Sequence, residues 1–130
     1  MINSDHQRHS EVGVFVGVEP SGFSSPCDSV SVFSTTGSAL SIASGRLSYT
    51  FGLVGPSYSI DTACASTLAA FHVGAVVDSG SVGICLGTKV LSEALSYTTL
   101  VAGMTSFRGR CHTFDQRADG YCRGEGCVAF

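Results

Sequence analysis

The chain has 130 residues, enough for one domain of ordinary size. Charged residues make up 13%, about half the usual share of ~25%, and the formal net charge is −3 with seven Lys plus Arg. That excludes the basic stripe of a nucleic-acid surface, and 44% hydrophobic residues excludes a charge-rich disordered tail. No uncharged apolar run reaches the roughly 18 residues of a membrane-spanning helix, so no membrane association is expected. The opening Met1–Ser10 is polar and lacks the apolar core of a secretory signal. The expected compartment is therefore the cytoplasm, and the six cysteines read as thiols rather than a disulfide frame.

Residues 1–11 hold two of the four histidines and no apolar periodicity, and are read as a flexible lead-in. The run from Val12 to Val18, flanked by Glu11 and Glu19-Pro20, predicts a buried parallel strand. Residues 19–36 are Ser-rich and read as a loop with one short helix. Ala39, Leu40, Ile42, Ala43 and Leu47 then recur at helical spacing, before turn signals at Gly52 and Gly55-Pro56. Tyr58–Thr62 predicts a short strand that runs directly into a helix over 63–77, whose lack of charge predicts burial on all sides. Val82–Gly87 reads as a second buried strand, followed by a looser stretch to Phe107. Residues 108–127 hold four of the six Arg and three Cys, and predict an ordered polar loop. The last residues, Cys127–Phe130, enter a strand. Strands alternating with helices indicate an α/β fold.

The sharpest chemical feature is Asp61-Thr-Ala-Cys64-Ala-Ser-Thr, where a strand ends and a Cys opens a helix. Helix N-termini carry unpaired N–H groups and about half a positive charge, which favours a thiolate and can hold an oxyanion. A Cys at this position is also a small hydrophobe suited to a packed helix. Position alone leaves both readings open.

The surrounding residues resemble a family. Ser38-Ala-Leu-Ser-Ile-Ala-Ser-Gly-Arg-Leu-Ser-Tyr49, Phe51-Gly-Leu-Val-Gly-Pro-Ser57 and Asp61-Thr-Ala-Cys-Ala-Ser-Thr-Leu68 are similar to the ketosynthase (beta-ketoacyl synthase) domain of type I polyketide synthases. Ala102-Gly-Met104 and the block from Gly109 to Gly126 agree in order and spacing, so the resemblance runs from residue 12 to the end. It implies a partial thiolase-like α/β fold, layered αβαβα, of which residues 12–130 would be the N-terminal half without its first strand. It implies that Cys64 is the catalytic nucleophile. Cys64 would accept an acyl chain from the phosphopantetheine of an acyl carrier protein, for decarboxylative condensation with a malonyl-type extender. No tightly bound cofactor or metal is implied. The partners implied are the acyl carrier protein and a second copy of the parent domain, and the compartment is the cytoplasm or a plastid. Type I fatty acid synthases share these blocks, and a non-catalytic truncated remnant is the reading of another class.

The sequence also departs from the family. The segment between His72 and Gly87 is about two residues short, which predicts a displaced strand after the helix. Ala65 stands where Ser is commoner, Gly87-Thr-Lys89 replaces a Gly-Gly pair, and Phe107-Arg108 replaces Pro-Asp. The family's two histidine motifs, His-Gly-Thr-Gly-Thr and Lys-Ser-Asn-x-Gly-His, do not occur in these residues. The absent opening strand predicts an unpaired sheet edge beside Val12–Val18. His72 follows Cys64 by eight residues, a rise of about 12 Å along one helix, too far for a general base, and reads as a packing residue. His112 reads as structural, and His6 and His9 fall in the lead-in. Cys111, His112, Cys122 and Cys127 lack the close pairing of a zinc module. Arg123-Gly-Glu-Gly126 and Gly87-Thr-Lys89 are too short for phosphate loops. Asp115, Asp119 and Glu125 read as hydrogen-bonded loop structure rather than an acid–base pair.

Overall fold

An uninterrupted apolar run has no polar face to turn toward water, and Gly13–Val18 accordingly forms a central strand, β1. Val14, Phe15 and Val16 are all buried there. The computed structural model describes residues 11–20, 32, 34–77 and 82–130. The elements that follow β1 are α1 (Ser34–Ser38), α2 (Ala43–Phe51), β2 (Ser57–Ile60), α3 (Ser66–Val77), β3 (Gly83–Lys89), α4 (Glu93–Val101) and β4 (Gly126–Ala129). Short 3-10 turns, Leu40–Ile42 and Ala63–Ala65, lead into α2 and α3. Residues 1–10 of the lead-in, with His6 and His9, and residues 21–31 of the Ser-rich loop, with Cys27, lie outside the described residues.

The described chain divides into two units, each with its own contacts. Of the described residues, the first comprises 11–19, 32, 34–77, 82–88 and 127–130, and the second comprises 20 and 89–126. The first holds a four-stranded sheet in the order β2-β1-β3-β4. β1 pairs in parallel with β2 from Val14↔Ser57 to Gly17↔Ile60, and with β3 from Gly13↔Gly83 to Val18↔Thr88. Cys85 and Phe130 exchange backbone hydrogen bonds at 3.2 and 2.9 Å, the pattern of an antiparallel pair. β1 is therefore paired along both edges, and the open edge expected beside it is closed by β3. The shortened segment after His72 does not displace β3, which keeps six consecutive pairs with β1.

The first unit is centred on Phe15, Ala70 and Cys85, with Ile60 and Val73 packed against them. Phe15 also stacks on Tyr58 across β1 and β2, ring centroids 5.7 Å apart. α2 is tied to β2 by Ser44, whose backbone N–H donates to Ser59 Oγ at 3.0 Å. The helix ends where Gly52 takes a left-handed φ of 65° and Leu53 N–H reaches back to the Ser48 carbonyl.

Sequence expectations for two helices, α3 with its His72 and α4, fail here. α3 is not buried on all sides: Ser66, Ala70 and Gly74 form one buried stripe, while Leu68 is 71% and Val76 63% exposed. Apolar residues all round a helix report a demand for burial, and the sheet meets that demand on one face alone. His72 lies among the exposed residues, so it does not pack as expected. The second failure is α4, which falls in the stretch read as loose. Its start is capped by Ser92, whose hydroxyl accepts from Leu95 N–H at 3.4 Å.

Candidate active site

Cys64 lies in the 3-10 turn Ala63–Ala65, immediately before α3, and is exposed. The sequence places it at the start of the α-helix, whereas the regular helix begins two residues later, at Ser66. The turn is built by its neighbours. Asp61 Oδ1 accepts from Ala63 N–H at 3.0 Å, closing an Asx-type turn at the end of β2. Ser66 Oγ accepts from Thr62 N–H at 2.8 Å and donates to the Ala63 carbonyl at 2.7 Å. One buried hydroxyl thus holds both sides of the turn. Ala63 is held at a φ of +54°, a left-handed conformation that costs a non-glycine residue of the order of 1–2 kcal/mol. The clamp from Asp61 and Ser66 offsets that cost and throws Cys64 outward.

The seat beneath the turn is made of two glycines that are register partners, Gly17 on β1 and Gly87 on β3. A Cβ at Gly17 would sit 2.5 Å from the Ser66 carbonyl carbon and 2.6 Å from Thr67 N. A Cβ at Gly87 would meet the Thr67 side chain, its Cβ at 2.8 Å. The first turn of α3 therefore rests directly on sheet backbone near the C-terminal ends of two parallel strands. Ligand sites in open parallel sheets gather at those ends. Chemically, the arrangement offers an exposed thiol on a strained, rigidly seated turn beside the start of a helix.

The remaining candidates fall elsewhere. Cys85 is buried in β3, its Sγ 3.8 Å from the Ala70 carbonyl, and burial pushes its thiol pKa up. Cys127 lies in β4 and is exposed. Cys111, His112 and Cys122 belong to the second unit. There the His112 Nδ1 is buried without a hydrogen bond, 4.0 Å from Asp119 Oδ1. Among the described residues, no three His, Cys, Asp or Glu side chains come together in a metal-binding group. Asp115, Asp119 and Glu125 are held in hydrogen bonds, as the sequence suggests. Asp115 takes a two-pronged contact from Arg117, at 3.0 and 2.8 Å, which lowers its pKa. Asp119 accepts from Ser106 Oγ at 2.6 Å and Glu125 from Leu91 N–H at 3.2 Å. Arg123 donates to Ser96 Oγ at 2.8 Å.

Sequence reasoning singled out Cys64 and did not single out the residues that hold it. Ser66 and the Gly17–Gly87 seat are the residues that place the thiol. The signal for the seat lies in Gly17 and Gly87, glycines that follow apolar runs within their strands and mark close backbone approach.

The family model described as beta-ketoacyl synthase, N-terminal domain, matches residues 1–130. A non-reducing polyketide synthase of Monascus ruber is 38% identical over 125 residues, covering 92% of this chain and 5% of that protein. A 3-methylorcinaldehyde synthase of a Phoma species is 40% identical over 124 residues, 91% of this chain and 5% of that one. Among solved structures, the ketosynthase from module 6 of the Bacillus subtilis bacillaene synthase superposes with a TM-score of 0.72 at 28% identity. That match covers 98% of this chain and 22% of the ketosynthase, so the fold is a partial thiolase-like one. The chain thus spans a small part of each relative. It belongs to the beta-ketoacyl synthase family, as a segment of that family's N-terminal domain.

Proposed function

We propose that this segment supplies the acyl-accepting nucleophile of a ketosynthase domain in polyketide synthesis, and that Cys64 is that nucleophile. The observation that carries the reading is the exposed thiol on a turn fixed by Asp61 and Ser66 and seated on Gly17 and Gly87. In the proposed reaction, Cys64 Sγ attacks the carbonyl carbon of an acyl thioester carried on a phosphopantetheine arm. The carbonyl electrons move onto oxygen, where N–H groups at a helix start suit the developing charge. The tetrahedral intermediate collapses, the carrier thiol leaves and takes up a proton, and the acyl group remains on Cys64. A carbanion formed by loss of CO2 from a malonyl-type extender then attacks that thioester, releasing Cys64. Covalent capture holds the acyl group in place while the extender arrives.

The polyketide assignment is favoured over fatty acid synthesis because the matched relatives named above are a polyketide synthase and a 3-methylorcinaldehyde synthase. The proposed partners are an acyl carrier protein and a second copy of the parent domain. The residues that promote decarboxylation are proposed to come from outside these 130 residues, since neither histidine motif of the family occurs among them. The test is a complete ketosynthase domain containing this segment, supplied with acyl and malonyl groups on carrier protein. Condensed product from the parent and none from Cys64→Ala supports the reading. Product at an undiminished rate from Cys64→Ala defeats it.

A further inference from the structure

The second unit brings together two cysteines that the proposed acyl chemistry does not use. α4 ends at Val101 with Ala102 as its cap, and Gly103, at a φ of +69°, turns the chain toward Thr105. Thr105 forms a parallel bridge with Tyr121, held by Tyr121 N–H to the Met104 carbonyl and Ser106 N–H to the Tyr121 carbonyl, both 3.0 Å. The loop between is folded back by Gly109 N–H to Ser106 and Asp115 N–H to His112, and by the Ser106–Asp119 hydrogen bond. Cys111 and Cys122, eleven residues apart, meet across it: Cys122 N–H donates to Cys111 Sγ at 3.1 Å. One N–Cα bond of about 1.5 Å separates that nitrogen from Cys122 Cα, so Cys111 Sγ lies within roughly 4.6 Å of that carbon. Across a disulfide that sulfur and the partner's Cα are joined by three bonds, the S–S bond of about 2.05 Å, then S–Cβ and Cβ–Cα, so a span of this size is compatible with closing the bond. The Cys122 thiol now points to the Arg123 carbonyl at 3.7 Å, and closing the bond requires it to turn toward Cys111. Both side chains are on exposed residues, so a small oxidant can reach them.

We propose that Cys111 and Cys122 are a redox modification site that closes to a reversible disulfide when the chain meets a peroxide. One thiolate attacks a peroxide oxygen and becomes a sulfenic acid, and the second peroxide oxygen leaves as water after taking up a proton. The other thiolate then attacks the sulfenic sulfur, forming the S–S bond and expelling a second water. Two thiols lose two electrons and two protons, and hydrogen peroxide is reduced to two waters. A dithiol reductant reverses the change. The product is a covalent ring over residues 111–122 that includes Tyr121 of the Thr105–Tyr121 bridge.

The experiment treats the purified chain with hydrogen peroxide, blocks residual thiols by alkylation and digests with trypsin without reduction. Cleavage after Arg110, Arg117 and Arg123 places Cys111, Cys122 and Cys127 on three separate peptides. The expected product joins Cys111–Arg117 to Ala118–Arg123, two hydrogens lighter than their sum, and disappears on reduction. It should dominate over every other pairing in buffer and be absent from Cys111→Ser and Cys122→Ser. In urea, loop-closure entropy favours the shorter Cys122–Cys127 ring, so the preference should reverse. The same pairing pattern in buffer and urea, dominance of Cys122–Cys127 in buffer, or oxidation of both thiols without a link would each overturn the proposal.

Discussion

Replacing Gly17 by Ala tests whether the seat beneath α3 sets the position of the nucleophile. The added carbon would lie 2.5 Å from the Ser66 carbonyl carbon and 2.6 Å from the Ser66 oxygen and Thr67 nitrogen. Carbon atoms in contact prefer about 3.5–4.0 Å, so the start of α3 must rise by roughly 1 Å. All three clashing atoms are backbone, so no rotamer change relieves them. Overpacking of this kind costs about 1–3 kcal/mol of stability. The larger effect falls on chemistry, because the same shift carries Cys64 with the helix, and a misplacement of ~1 Å can lower a rate about 100-fold. The assay is the initial rate of acyl transfer to Cys64 in a complete ketosynthase domain containing the segment, alongside its thermal melting. Gly45→Ala is the matched control: nothing lies within 4 Å of its added carbon, and α2 should gain about 0.5–1 kcal/mol. Parent-like acylation in Gly17→Ala, with a melting temperature equal to that of Gly45→Ala, would refute the reasoning.

Other outcomes follow from the same geometry. Ser66→Ala removes the hydroxyl that serves both Thr62 N–H and the Ala63 carbonyl, and should cost about 1–3 kcal/mol with slower acylation; denaturant melts and labelling rates on one preparation check both. Cys85 should alkylate far more slowly than Cys64 in the native protein and equally fast in urea, as resolved by peptide mass spectrometry. Because burial raises the Cys85 pKa in the folded state, folding retains its proton where the unfolded thiol has lost it. Stability is therefore unaffected by this group below the ordinary thiol range and falls as pH rises through and above it; Cys85→Ala should flatten that alkaline decline in melting temperature. The 130-residue chain alone, given acyl and malonyl carrier proteins, should form no carbon–carbon bond, and condensed product detected by mass spectrometry would count against that expectation.

The parts of the fold that sequence revealed are those where one physical demand dominates. An apolar run bounded by Glu11 and Glu19 can only be satisfied inside a sheet, and β1 is found there. The junction at Asp61–Thr67 was legible because a strand pattern runs into a helix pattern with no room for a loop. Its strain was not: alanine rarely adopts positive φ, and nothing about Ala63 in sequence signals +54°. That conformation depends on Ser66 reaching back three residues, a contact visible in three dimensions alone. α4 was hidden by its composition. Thr98, Thr99 and Ser96 are weak helix formers, yet each hydroxyl bonds a carbonyl three or four residues back along the helix. Ser92 followed by Glu93 was the overlooked start signal. For α3 the sequence reported the apolar demand correctly, and the exposed Leu68, Phe71 and Val76 show where that demand goes unmet by the sheet.

The central claim is that Cys64 accepts the acyl chain, and covalent mapping tests it most directly. A complete ketosynthase domain containing the segment is exposed briefly to an acyl thioester, quenched in acid and cut before aspartate. That cleavage isolates Cys64 on the peptide Asp61–Val77, apart from Cys85 and Cys111. The acyl mass should appear on that peptide first and predominantly, and should be lost from the protein in Cys64→Ala. Acylation that maps mainly to another cysteine, or that persists in Cys64→Ala at the parent level, would contradict the account.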